Sequence, residues 1–92
     1  MQAVRVAGVV VVRQQPGTAK GFVFLSLEDE TGIANIIVTP DVFAAHKRTI
    51  VDAPYLLVDG VLQHLQGSIS VKADRIESLQ YAGPELESHD FR

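Results

Sequence analysis

Ninety-two residues make one small domain, in which folding hides only about 60–65% of the unfolded chain's surface. A TIM barrel, at roughly 250 residues, is excluded, and 47% hydrophobic with 21% charged residues is a globular composition, not a disordered one. No cysteine and a net charge of −3 exclude disulfide staples and thiolate chemistry, and argue against a free-standing, tight nucleic-acid binder, which is usually basic.

In chain order, residues 3–13 (AVRVAGVVVVR) are β-branched and almost unbroken, which suits a strand buried on both faces or bent across a small barrel. Gly8 is where such a strand can bend sharply. The longest apolar run, Val6 to Val12, falls far short of the ~20 residues that span a bilayer. Arg5 within that stretch, followed by Arg13-Gln14-Gln15-Pro16 in place of a small-residue cleavage site, predicts no signal peptide. No membrane partner is expected, and the absence of cysteine fits a reducing cytoplasm.

Gln14 to Gly21 (QQPGTAKG) reads as a loop with a Pro16-Gly17 turn. Residues 22–28 (FVFLSLE) predict a second strand, Asp29-Glu30-Thr31-Gly32 a turn, and residues 33–39 (IANIIVT) a third strand. A short helix follows, with Thr39 as cap, Pro40 at the first position and Asp41 at the positive end. Its apolar stripe is narrow, Phe43 and Ile50 flanked by Val42. Lys47 and Arg48 fall toward its C-terminal end, where the dipole favours cations, and Asp52-Ala53-Pro54 stops it. Residues 55–63 (YLLVDGVLQ) predict a fourth strand broken by Gly60. A Gln66-Gly67 turn leads to a fifth strand over 68–74, with Ile69, Val71 and Ala73 on one face. Ile76 and Leu79 are expected to pack down its end, within a domain of residues 1–80 that leaves 81–92 as a polar tail.

Five short strands with one helix between the third and fourth is the order of the OB-fold, an all-β, five-stranded Greek-key barrel. Closing a barrel removes free sheet edges.

Strand alternation separates an inner from an outer face. Val23, Leu25 and Leu27 fall on one side of the second strand, Phe22, Phe24, Ser26 and Glu28 on the other. In the third strand Ala34, Ile36 and Val38 point inward, and Ile33, Asn35, Ile37 and Thr39 outward. One outer surface then presents two Phe rings beside an Asn amide, with Lys20 at the loop edge. The OB-fold binds oligonucleotides on this surface and with the neighbouring loops. A ring there can stack a base for about 1–3 kcal/mol, and Lys20, Arg13 and Lys72 could track phosphates. Two bland readings fit the same residues. The rings can pack under a loop or against another domain, and Asn35, Lys20 and Lys72 can simply be solvated; Arg5, Lys47 and Arg48 read as solvated or dipole-related.

Other chemistry is poorly supported. Glu28, Asp29 and Glu30 lie at a turn without calcium-loop spacing, and His46, His64 and His89 share no zinc-like spacing, so neither metal nor cofactor is expected. Gly17-Thr18-Ala19-Lys20-Gly21 lacks the Gly-Lys-Ser/Thr ending that opens a helix in a phosphate loop. No catalytic constellation can be named. The acidity is uneven: residues 83–92 hold Glu85, Glu87 and Asp90 against Arg92, and without them 7 basic residues face 8 acidic ones. The body can therefore still carry a local basic stripe.

The stretch Pro16 to Val38 (PGTAKGFVFLSLEDETGIANIIV), with Pro40-Asp41-Val42-Phe43 after it, resembles the C-terminal OB module of bacterial C-family DNA polymerases (the polymerase III alpha-subunit class). Within that family it is most similar to the error-prone branch, which serves damage-induced mutagenesis. Val4 to Gln14, the LLVDGVLQ strand and the ending Ser88-His89-Asp90-Phe91-Arg92 are similar to that branch too. A looser Phe-x-x-Leu-x-Asp-x-x-Gly version occurs in the anticodon-binding OB domains of class II tRNA synthetases. The resemblance implies a binding role near emerging single-stranded template, because the polymerase carboxylates of that family lie in a palm domain with no counterpart in this chain. In the anticodon-binding relatives a Phe at the position of Phe24 stacks a base, and an amide at the position of Asn35 reads one. Those relatives usually carry Arg where this chain has Glu28, a departure that predicts weaker binding. The expected function is therefore a non-catalytic, single-stranded DNA-binding module of an error-prone polymerase. The alternative is a protein-interaction module docking other polymerase domains or a translesion partner through Phe22, Phe24, Ile33 and Ile37. A tRNA anticodon-binding domain is expected to need an appended synthetase catalytic domain, for which the tail after Leu79 leaves no room.

Overall fold

The computed structural model describes residues 2–15, 20–65 and 67–79. Its elements are β1 (Gln2–Gln14), β2 (Val23–Asp29), β3 (Gly32–Val38), α1 (Pro40–Asp52), β4 (Tyr55–Leu65) and β5 (Ser68–Ser78). The strands close into a barrel in the order β1-β2-β3-β5-β4. The expected five-stranded OB barrel, with its helix between the third and fourth strands, is the observed fold.

β1 serves two neighbours in turn. Its first part pairs with β4, from Gln2 opposite Leu62 to Val9 opposite Tyr55. Its second part pairs with β2, from Val9 opposite Glu28 to Gln14 opposite Phe24. Gly8 sits at the handover, where an added Cβ would lie 2.6 Å from the Glu28 carbonyl oxygen. Only a residue without a side chain lets the two strands approach so closely. β3 closes the barrel through a short parallel pairing with β5, Ile36 opposite Val71 and Ile37 opposite Lys72.

Gly60 does not break β4 as expected. The strand runs on, and the register with β5 shifts between Asp59 and Gly60. A Cβ there would run into the carbonyl of Lys72. The shift leaves Asp74 out of the ladder, since Gly60 pairs with Ala73 and Asp59 with Arg75. Alternation then resumes, so β5 continues to Ser78 and buries Ile76. A bulge of this kind is invisible to a strict two-residue period, which is why the predicted fifth strand stopped at residue 74. Leu79 adds a backbone bond to the Tyr55 carbonyl at 3.0 Å. The proposed tail, residues 81–92, lies outside the described residues.

The interior is built from the predicted inward residues. Val23, Leu25, Leu27, Ile36 and Val38 are all buried, with Leu56, Val58 and Val71 facing them. α1 plugs one end, burying Ile50 and resting Val42 and Phe43 on the core. Thr39 precedes the helix but makes no side-chain capping bond; its carbonyl accepts from Phe43 N–H instead. The C-terminal end carries no basic residue of its own in the last turn, so Lys47 and Arg48 do not supply the expected dipole partner. Arg13 supplies it from β1. Its Nε donates to the Ile50 carbonyl at 2.8 Å and its Nη2 to the Ala53 carbonyl at 2.7 Å, satisfying carbonyls that a helix end leaves orphaned.

Candidate nucleic-acid interface

The outer surface of β2, β3 and β5 forms rows set by the register. One row runs Gln14, Phe24, Ile37, Lys72, Val61. The adjacent row starts Val12, Ser26, Asn35 and resumes across β5 and β4 with Ser70 opposite Gln63. Between these rows lies a shallow cleft of about 260 Å³. Phe24, Asn35, Ser26, Ile37, Gln14 and Ser70 contribute to its lining.

The structure brings three of the predicted site residues together. Phe24 is half-buried and Asn35 exposed, and both line the cleft. Lys72 is exposed and stands opposite Ile37 in the row that contains Phe24. Phe22 precedes β2, is half-buried and does not line the cleft. Lys20 is exposed at the loop edge, in the left-handed backbone region with φ 49°, followed by Gly21 at 89°. A lysine there costs conformational energy that glycine would not.

Arg13 stands apart from these residues, bonded to the end of α1. Its cross-strand partner is Leu25, a buried inner residue, whereas its neighbours Val12 and Gln14 pair with outer Ser26 and Phe24. The cause is a register shift between Val10 and Val12. The extra residue, Val11, reverses the parity of everything after it. Counting by twos from Val4 and Val6 puts Arg13 on the cleft side; the bulge shifts it to the other side of the strand, where its exposed side chain reaches the end of α1. The side chain remains exposed, but it does not line the cleft. Sequence reasoning also passed over Ser26, Ser70, Gln14 and Gln63. The available signal was alternation combined with register, and register across β5 cannot be read from one chain.

The remaining charges frame this surface. Arg5 Nε pairs with Asp59 at 2.6 Å on the β1–β4 side of the barrel. That hydrogen bond holds the Asp59 carboxyl below its usual range and raises Arg5 in turn. Arg75 pairs with Glu77 at 2.7 Å. Among the described residues Lys20, Lys47, Arg48 and Lys72 are left without an ion pair, as is Arg13, whose guanidinium bonds to backbone carbonyls. At the far end of the cleft face stand Glu28 and the β2–β3 turn. There the Asp29 carboxylate accepts from Thr31 Oγ1 at 2.6 Å and from Thr31 N–H at 2.7 Å. Those bonds lower the Asp29 pKa.

Residues 4–79 match the tRNA anti-codon family model, described as the OB-fold nucleic acid binding domain. The chain belongs to this OB-fold nucleic acid binding family. It is also 47% identical over 89 residues to the error-prone DNA polymerase of Mycolicibacterium paratuberculosis, a match covering 97% of this chain and 8% of that protein. This OB domain thus spans about 8% of the length of the curated relatives it matches. Among solved structures it superposes on the S. pombe Stn1–Ten1 complex with a TM-score of 0.75 at 19% identity, covering 100% of this chain and 68% of that one. A small single-stranded DNA binding protein from Mycoplasma pneumoniae gives a TM-score of 0.72 at 8% identity, covering 88% of this chain and 97% of that one. At such identities the likeness is one of fold.

Proposed function

We propose that this OB domain binds single-stranded DNA on the β2–β3–β5 face, as a non-catalytic module of an error-prone DNA polymerase of the bacterial C-family, C-terminal within it and cytoplasmic. The observation that carries the reading is the half-exposed Phe24 ring bordering a cleft whose other walls include the Asn35 amide, with Lys72 beyond Ile37 in the same row as the ring. Phe24 stacks a base, Phe22 extends the platform toward the loop, and Asn35 meets a base edge. Lys72 and Lys20 meet phosphates. Similarity to error-prone polymerases over nearly the whole chain supports the parent. The fold shared with a single-stranded DNA binding protein supports the ligand.

The test is a fluorescence-anisotropy titration of labelled single-stranded DNA at low and moderate salt. Phe24→Ala is expected to weaken binding by about 5- to 150-fold, the equivalent of one lost stack. Lys72→Glu is expected to weaken it most at low salt. Unchanged affinity in Phe24→Ala would sink the stacking role.

A second reading, a protein-docking face, is favoured by Ile33, which is 62% exposed on the same outer side. It predicts that Ile33→Ser with Ile37→Ser spares DNA affinity and abolishes capture of the remaining polymerase domains.

A further inference from the structure

The row beside Phe24 has a chemical character of its own. Ser26 stands opposite Asn35, and Ser70 opposite Gln63. Asn35 and Ser70 line one cleft although they sit on different strands. Not one of these four side chains makes a hydrogen bond or ion pair among the described residues. They are neutral groups, each able to donate and to accept. A surface evolved to hold a phosphate chain would place cations here. This one offers Lys72 alone within the rows, with Glu28 on the outer face toward the β2–β3 turn and Asp29 and Glu30 beyond it. Carboxylates at that end repel a phosphodiester chain, which biases the course of a bound strand toward the Lys72 side.

We infer that the neutral band Ser26, Asn35, Ser70 and Gln63 reads the edges of one or two bases stacked at Phe24, making the domain a short, base-discriminating single-strand site and not a phosphate-tracking groove. This rests on the single-stranded DNA reading above and deepens it. Ser26, Ser70 and Gln63 become contact residues, and strands β5 and β4 take part in discrimination along with β2 and β3. With two phosphate-facing cations, Lys72 and Lys20, the salt slope of log affinity is about −0.7 to −1.4. Losing one hydroxyl contact changes the preference between bases by about 2- to 10-fold.

The probes are labelled 12-mers of dT, dC, dA and dG, with an abasic 12-mer of the same backbone, titrated at several salt concentrations. Expected are unequal affinities across the four bases, no measurable binding of the abasic strand, and a shallow slope. Ser26→Ala and Ser70→Ala should each change the ratio between the best and second-best base, with thermal stability unchanged. Equal affinity for all four bases overturns the inference and leaves the single-stranded DNA reading intact. A slope of about −3 or steeper does the same, because it needs more phosphate contacts than this face can offer. No binding of any strand overturns both.

Discussion

The two faces of the β2–β3 hairpin differ more than any two regions of the barrel. On the inner face Leu25, Ile36 and Val38 are exposed by 2%, 1% and 0%, sealed by α1 and by β4 and β5. On the outer face, one residue along each strand, Phe24 and Ile37 are half-buried, while Ser26 and Asn35 make no side-chain hydrogen bond. The same backbone bonds hold both faces, so secondary structure cannot account for the contrast. The inner face uses shape and apolar area to hold the fold. The outer face keeps aromatic surface and polar groups accessible, which contributes little to stability and is the condition for binding something else. Substitutions on the two sides should therefore separate stability from affinity.

The largest expected effect is on the inner side. Leu25→Ala removes a fully buried side chain from the barrel centre and should cost about 2–5 kcal/mol of unfolding free energy, read as a lower urea midpoint. If the loss falls below about 1 kcal/mol, the interior is not close-packed as described. Arg13→Ala comes next and tests the boundary between the two sides. It leaves two carbonyls at the end of α1 without their charged donor, an expected cost of about 1–3 kcal/mol. Oligonucleotide affinity should not change beyond that of a marginally less stable protein. The opposite pattern, normal stability with weakened DNA binding, would give Arg13 the phosphate contact that its residue type suggests. Ser26→Ala with Asn35→Ala should lie within about 0.5 kcal/mol of wild-type stability, because these side chains have no internal partner to lose.

How much of this was legible in the sequence depends on parity. From Val23 to Val38 the two-residue period is unbroken, and every inward and outward assignment there holds, from Leu25 and Ile36 inside to Phe24 and Asn35 outside. Where the period is broken, reading by twos fails. One register shift near Val11 sent Arg13 to the helix end, and another at Asp59–Gly60 extended β5 by four residues beyond Asp74. Neither is marked by composition. Val11 is one valine among four, and Gly60 shows only that something approaches closely there. The polar band was hidden for a different reason. Ser70 and Asn35 are 35 residues apart and meet through a parallel pairing of two residues, a contact with no local signature.

The smallest expected effect concerns the turn that bounds the outer face. Asp29 is exposed, and its pKa lies below the ordinary value of 3.8, chiefly because the ionised carboxylate accepts from the Thr31 hydroxyl and backbone N–H. A carboxyl whose folded pKa is depressed binds its proton more readily in the unfolded chain. Its stabilisation is therefore complete above the unfolded value near 3.8 and is lost as pH falls through the lower folded value. Replacing Thr31 by Val removes the hydroxyl donor while leaving the backbone one. The difference in urea midpoint between Thr31→Val and wild type should be small at pH 7 and should narrow between pH 4 and pH 2. A difference that stays constant over that range would mean that the turn is held by Gly32 and backbone geometry, not by the carboxylate. The negative charge would then be free to act on an approaching strand without any structural duty, and Asp29→Asn should flatten the acidic boundary while leaving the hairpin register intact.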